Sequence, residues 1–297
     1  MRSLSRLKRL TLGRSSMRRL AIGFVLALVL AACDWRGPAP TEQSVAAATG
    51  PFTVGTIAVP TSAGFGGGTI YYPSNNAGPF AVISIAPGFL EDQTAIAGWG
   101  PRLASNGFVV ITFNTTNNLI QPDQRSQEQR QALTYVINQS NNASSPIAGK
   151  VDPNRKGVAG HSMGGGATLI SANADPSIRA AMPLAPWNGS ANFPNLRVPT
   201  LIWACQADNI APVASHASPM YNSIPATTKK AYVSVAGGNH FCANDPNGFS
   251  QNVGKYGVSF FKEFLDADSR FDPWVCGASR PRVGSVLNEV RSTCPFL

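Results

Sequence analysis

Histidine and cysteine are scarce in this chain, and neither occurs in a pattern typical of metal sites. The 297 residues include three histidines and five cysteines, without a His-x-x-x-His or a Cys-x-x-Cys pair. Because zinc sites in proteins are usually built from such closely spaced ligands, we expect no metal site.

Acidic residues are also few, but the resulting positive charge does not indicate a nucleic-acid-binding protein. The formal net charge is +9, and the first 33 residues supply seven of the lysines and arginines and no acidic residue. The rest of the chain has 17 basic and 15 acidic residues and no basic run with interleaved aromatic residues. We therefore predict no nucleic-acid partner.

The apolar stretch 21–32 is too short to span a bilayer and is typical of a signal-peptide core. It follows Arg18 and Arg19 and ends in Leu-Ala-Ala-Cys at 30–33, which resembles a bacterial lipobox. We predict a signal peptide over residues 1–33, with a lipid anchor at Cys33. The alternative is ordinary cleavage at a small-residue site, and Met17 is an alternative start to Met1.

The odd number of cysteines, five, is consistent with export from a bacterium as a lipoprotein. If Cys33 carries lipid, four cysteines remain, which can form two disulfides in an oxidising compartment: Cys205, Cys242, Cys276 and Cys294. We therefore expect a periplasmic or membrane-anchored lipoprotein, or otherwise a secreted protein.

Residues 34–50 are rich in Ala, Pro, Thr and Gln and predict a flexible linker. Residues 51–297 predict one α/β domain in which strands alternate with helices around a mostly parallel sheet. The predicted strands are 52–59, 69–72, 81–86, 108–113, 156–159, 180–185, 200–204 and 231–235. The predicted helices are 99–106, 123–139 with Asp123 as N-cap, 167–174, 213–222 and 249–265. We expect a monomer.

The sequence Gly160-His161-Ser162-Met163-Gly164 lies between a predicted strand and a predicted helix. This is the setting of a nucleophile elbow, a very tight turn that needs glycine two residues before and after the serine. A flexible glycine loop, the alternative, would not need the flanking strand and helix. Ser162 is therefore the candidate nucleophile.

A serine nucleophile needs a base, and only three histidines are available. His240 follows the strand 231–235 in a glycine-rich loop, at the sheet edge where parallel sheets carry their chemistry. His161 is committed to the elbow and His216 lies in a predicted helix. We therefore predict that His240 is the base.

The acid is predicted from chain order. In α/β-hydrolases the order is Ser, then Asp or Glu, then His. Asp175 and Asp208 are the carboxylates between Ser162 and His240. Asp175 precedes Pro176 in a turn on the far side of the sheet, whereas Asp208 follows a strand on the catalytic edge. We predict the triad Ser162, Asp208 and His240.

An oxyanion hole needs two backbone N–H groups near the serine. Met163, after the nucleophile, and Phe89, in the loop after the strand 81–86, are the predicted donors. Together with the triad, these groups predict ester hydrolysis through an acyl-enzyme, without a cofactor.

From about Phe52 to Cys294 the chain resembles the bacterial cutinase-like polyester hydrolases, which include poly(ethylene terephthalate) (PET) hydrolases. Six stretches carry the resemblance: 99–105, 107–112, 160–166, 185–187, 208–213 and 240–244. It implies an α/β-hydrolase fold without a lid domain and the disulfides Cys205–Cys242 and Cys276–Cys294. It also implies an exposed cleft in which a set of side chains contacts the substrate: Phe89, His161, Met163, Trp187, Ile210 and Phe241.

Two departures from the most PET-adapted relatives are His161 and Phe241, where those relatives have Trp and Ser. His216 likewise stands where they have a small residue. We therefore expect cleavage of aliphatic polyesters and slower attack on PET. A triacylglycerol lipase or short-chain carboxylesterase is the alternative enzyme, and a surface lipoprotein with an inactive hydrolase fold is the alternative without activity.

Overall fold

A mixed sheet organises the part of the chain that the structure, a computed structural model, describes: residues 38–249 and 251–295. Within them nine strands form one sheet in the order β1-β2-β4-β3-β5-β6-β7-β8-β9. The strands are β1 Val54–Val59, β2 Gly68–Pro73, β3 Phe80–Ala86, β4 Phe108–Phe113, β5 Val151–His161, β6 Ile178–Leu184, β7 Thr200–Cys205, β8 Lys230–Val235 and β9 Leu287–Ser292. Strands β3 to β8 run parallel, while β1, β2 and β9 pair antiparallel at the two edges.

Helices cover both faces of the sheet. They are α1 Glu42–Ala46, α2 Trp99–Ala104, α3 Pro122–Asn141, α4 Met163–Ala174, α5 Ala217–Ser223, α6 Asn252–Leu265 and α7 Asp272–Val275. Alternate residues of a strand face opposite sides: Ile83 and Ile85 of β3 pack in one core with α2 and α6, and Val82 packs in the other with α3 and α4. Strand β3 stands near the centre of the sheet, with helices on both sides, and all of its residues are buried. Its sequence therefore shows no alternation of apolar and polar residues.

Proline determines two helix boundaries that differ from the prediction. Helix α5 begins at Ala217 rather than at 213, because a helix from 213 would contain Pro219 in its interior, without an N–H. Helix α3 begins at Pro122 with Gln121 as N-cap, so Asp123 is not the N-cap and lies in the first turn. Proline is well suited to that first helical position.

Helices α4 and α6 also begin at unexpected residues. Helix α4 begins at Met163 and includes Gly164 to Gly166, where side chains would collide with neighbouring backbone. Helix α6 begins at Asn252, since Phe249 and Gln251 have φ of 50° and 63° and cannot continue a right-handed helix.

The segment before β1 differs from the flexible linker that its composition predicts. The compact unit begins at Ala39, not at 51, and Val45 of α1 is buried. The Arg102 guanidinium donates to the carbonyls of Val45 and Ala47 at the end of α1. Glu42 at its start accepts from Lys255 Nζ (2.8 Å) and Trp274 Nε1 (2.7 Å). We call residues 39–50 the N-terminal strap.

Both disulfides implied by the resemblance are present, Cys205–Cys242 and Cys276–Cys294. The predicted signal peptide and the candidate lipidation site Cys33 lie outside the described residues. Among the described helices none is long and apolar enough to cross a membrane.

Candidate active site

Ser162 lies at the tight junction between β5 and α4. Its backbone has φ 54° and ψ −117°, which a residue other than glycine adopts only under strain. Its N–H donates to the Leu184 carbonyl (2.9 Å), and its own carbonyl accepts from the Trp187 N–H (2.8 Å). A Cβ atom at Gly160 would overlap the backbone of Gly164, and one at Gly164 would overlap the end of β3. The two glycines are therefore a steric requirement of the turn.

Asp208 and His240 meet just beyond the carboxyl ends of β7 and β8. The distance from His240 Nδ1 to Asp208 Oδ2 is 2.7 Å, and both side chains are buried. The other carboxylate oxygen accepts from the N–H groups of Ile210 (2.9 Å) and Ala211 (2.7 Å). Burial alone would raise the pKa of Asp208, but its bonds from His240, Ala211 and Ile210 hold that pKa below the ordinary value. The carboxylate therefore stays charged and orients the His240 ring.

His161 packs against His240 and directly precedes Ser162 in the chain. The ring centroids of the two histidines are 4.6 Å apart. Ser162, Asp208 and His240 each follow the carboxyl end of a parallel strand, so they lie at one edge of the sheet. By contrast, Asp175 ends α4 at the opposite edge, where it pairs with Lys156 (3.3 Å).

The loop after β3, residues 87–91, is fixed on both sides of Phe89. The hydrogen bonds that hold it include Arg125 Nη1 to the Pro87 carbonyl (3.0 Å), Gly88 N–H to Glu91 Oε2 (2.5 Å), and Leu90 N–H to the Asn118 carbonyl (3.1 Å). The Phe89 N–H has no hydrogen-bond partner among the described residues. Met163 is the first residue of α4, so its N–H has no intrahelical partner. Two N–H groups near Ser162 are therefore available to a negatively charged oxygen.

Glu91 is a residue that the sequence analysis missed. Its carboxylate oxygens are 2.8 and 2.9 Å from His161 Nδ1. Burial raises the pKa of Glu91, but the His161 ring and the Gly88 N–H hold it below its ordinary value. The sequence contained one signal for Glu91, which is its position two residues after Phe89, the predicted oxyanion donor. A charged side chain that is buried in such a loop needs a partner.

His161 differs from the expected substrate contact. Its ring is fully buried, with Nδ1 at Glu91 and Nε2 3.0 Å from the carbonyl oxygen of His240. Both ring nitrogens are thus occupied inside the protein, and His161 supports the loop that carries His240 instead of offering a surface to a ligand.

Apolar side chains surround Ser162 on the surface. Phe89, Ile210 and Phe241 are 45%, 59% and 50% exposed, while Met163 is nearly buried. Trp187 is half-buried, and its ring centroid is 5.8 Å from that of His216 at an interplanar angle of 34°. These exposed apolar side chains make the surface suited to an apolar ligand.

In the described part of the chain no group of three or more His, Cys, Asp or Glu residues could hold a metal ion.

A mostly parallel sheet, helices on both faces and a serine elbow at the end of a central strand define an α/β-hydrolase. The family model described as PET hydrolase-like matches residues 31–295. The chain therefore belongs to the PET hydrolase-like family, which confirms the resemblance and the fold predicted from the sequence.

Similar proteins include cutinases and a bis(hydroxyethyl) terephthalate hydrolase. The chain is 44% identical over 263 residues to the bis(hydroxyethyl) terephthalate hydrolase of Streptomyces coelicolor, covering 88% of this chain and 82% of that protein. It is also 44% identical to cutinase 1 of Thermobifida cellulosilytica, covering 88% of this chain and 98% of the relative. Cutinase est1 of Thermobifida alba is 43% identical, with 88% and 86% covered.

Proposed function

We propose that this protein is a serine esterase that hydrolyses the carboxylic ester bonds of polyesters, including cutin-type polymers. Ser162 is the nucleophile, His240 the base and Asp208 the acid that orients the base. The observation that carries the proposal is the strained Ser162 turn at the same sheet edge as the buried His240–Asp208 hydrogen bond. The names of the relatives, cutinase and bis(hydroxyethyl) terephthalate hydrolase, support an ester substrate of polymer origin.

The reaction has two halves. His240 accepts the proton of Ser162 as Oγ attacks the ester carbonyl carbon, and the N–H groups of Phe89 and Met163 donate to the developing oxyanion. The alcohol then leaves with the proton from His240, and an acyl-enzyme remains. Water attacks the acyl-enzyme as His240 takes its proton. His240 then returns this proton to Ser162 Oγ as the bond to the acyl carbon breaks, which releases the acid and restores Ser162. The unpaired Phe89 N–H supports this role.

The open surface around Ser162 favours a polymer. Residues 185–199 connect β6 to β7 without a helix or a strand, so this segment contains no helical lid domain. Exposed Phe89 and half-buried Trp187 can stack on an aromatic diacid, and each such pair contributes about 0.5–1.5 kcal/mol beyond burial. His216 packs beside Trp187, and we propose that this contact limits the rotation of the Trp187 ring. We therefore expect faster hydrolysis of aliphatic polyesters than of PET.

Film hydrolysis tests this function. Purified protein is incubated with an aliphatic polyester film, amorphous PET film, tributyrin and an emulsified long-chain triglyceride, and released acid is measured. We expect release from the aliphatic film and tributyrin, slower release from PET, and none with Ser162→Ala. A protein that adsorbs to film without releasing acid would be a binding protein, and preference for the long-chain fat would make it a lipase.

Trp187→Ala separates substrate stacking from packing. It should reduce acid release from films more than hydrolysis of p-nitrophenyl acetate, because acetate is too small to use the aromatic surface. An equal loss on both substrates would assign Trp187 to packing and contradict the aromatic cleft.

We further propose that the protein is exported and held at a membrane by lipid on Cys33. Cys33→Ser should move it from the membrane fraction to the soluble fraction. A mature N-terminus beyond Cys33 would contradict the lipid anchor.

A further inference from the structure

Glu91 lies behind the oxyanion loop, residues 87–91, and the reaction proposed above does not use it. Its Oε2 accepts from the Gly88 N–H at 2.5 Å, and its side chain is 12% exposed. A Cβ atom at Gly88 would lie 2.7 Å from Glu91 Oε2 and 3.0 Å from the Ser162 Cβ. The Gly88 backbone is therefore close to both this carboxylate and the proposed nucleophile.

The His161 ring continues the contact to the base. Its Nδ1 faces both Glu91 oxygens, and its Nε2 donates to the carbonyl of His240 at 3.0 Å. A carbonyl oxygen accepts only, so this bond requires a hydrogen on Nε2. A continuous chain of hydrogen bonds thus runs from Gly88 through Glu91 and His161 to His240.

The chain of bonds joins the two parts that must be aligned for hydrolysis. Phe89, whose N–H is a proposed oxyanion donor, directly follows Gly88, and the His240 ring carries the proton. On its other side the same loop is held by Arg125, fully buried, which donates to the Pro87 carbonyl. Within the described residues, the hydrogen bonds that lead from this loop to His240 pass through Glu91 and His161.

We propose that Glu91 is a positioning residue that aligns the oxyanion donors with His240 through His161. The inference rests on the proposed function, since alignment matters only if Ser162 attacks an ester. Without the carboxylate, Gly88 and His161 lose their shared acceptor, and both the Phe89 N–H and the His240 ring can shift. A displacement of about 1 Å at a reacting group can cost about 100-fold in rate.

Three substitutions separate position from charge. Glu91→Gln can keep both contacts, with its carbonyl accepting from Gly88 and its amide donating to His161 Nδ1 once that nitrogen carries no hydrogen. Glu91→Asp keeps the charge but withdraws the carboxylate by one methylene, and Glu91→Leu removes every contact. Glu128→Leu is the matched control, because Glu128 is also buried and accepts from a loop N–H, that of Thr116 at 3.0 Å.

The measurements are kcat and KM for p-nitrophenyl butyrate, the rate at which a phosphonate labels the protein, and the melting temperature. We expect kcat to fall about 100-fold in Glu91→Leu and about 10-fold in Glu91→Asp, with KM changed less than about threefold. Glu91→Gln should stay within about fivefold of wild type. Glu128→Leu should lower the melting temperature but keep kcat.

Wild-type kcat in Glu91→Leu would overturn the inference, and if that variant does not fold, wild-type kcat in Glu91→Asp would do so. An equal loss of kcat in Glu128→Leu would also overturn it, because the effect would then be general destabilisation. A wild-type protein that hydrolyses no ester would instead overturn the proposed function itself.

Discussion

The disulfide Cys205–Cys242 fastens the loop of the proposed acid to the loop of the proposed base. Cys205 ends β7 three residues before Asp208, and Cys242 follows His240 by two residues. The two Cα atoms are 5.8 Å apart, and both side chains are buried. We predict that replacing both cysteines with alanine lowers stability and also activity, because the His240–Asp208 hydrogen bond loses a covalent support.

The stability loss follows from the loop that the bond closes. A sequence separation of 37 gives about 4 kcal/mol at 25 °C from the loss of chain entropy in the unfolded state. The separation of 18 between Cys276 and Cys294 gives about 3 kcal/mol. The second disulfide is therefore a matched control, since it is similar in stability cost but joins the end of α7 to the chain after β9.

Urea unfolding and steady-state kinetics provide the assay. Both alanine pairs should lower the free energy of unfolding by about 3–4 kcal/mol. Only the pair at 205 and 242 should also lower kcat for p-nitrophenyl butyrate, by about 10-fold, in protein that is still folded. Equal kcat in the two double variants would refute the reasoning that this bond supports the acid–base geometry.

Three further predictions follow from the site and the strap. Asp208→Asn should lower kcat about 10⁴-fold with the fold retained, as measured by circular dichroism beside steady-state rates. Gly164→Ala should lose most activity and stability, because its Cβ would overlap the end of β3; an active, stable variant would contradict the close packing of the elbow. The pKa of Asp208 is lowered despite burial by its bond from His240, and that of Glu42 by its bonds from Lys255 and Trp274. The unfolded state therefore binds more protons as pH falls below about 4.5, so the unfolding free energy should be nearly the same at pH 7 and pH 5 and clearly lower at pH 3.

The sequence predicts the site best where a short motif is compatible with only one backbone conformation. The spacing of Gly160, Ser162 and Gly164 fits only a turn in which a side chain at either glycine would overlap backbone. Asp208 and His240 follow apolar strands, and the ends of parallel strands share one edge. Their meeting at 2.7 Å is thus a consequence of the order of strands along the chain.

The sequence was less informative where tertiary contacts replace a local pattern. Strand β9 contains Asn288, Glu289 and Arg291 and lacks an apolar alternation, yet it pairs with β8 at the sheet edge. The N-terminal strap has the composition of a linker, but Arg102, 56 residues away, binds its carbonyls. The role of Glu91 is not predictable from a local pattern, because its partner His161 lies 70 residues away in the chain.

We propose that Ser162 is a nucleophile activated by His240. Stoichiometric labelling with a p-nitrophenyl phosphonate, followed by intact mass and peptide mapping, tests this most directly. We predict one phosphonyl group per protein, located on Ser162, with loss of ester hydrolysis in proportion to labelling and negligible labelling in His240→Ala. A label on another residue, or full hydrolysis by protein labelled at Ser162, would contradict the account.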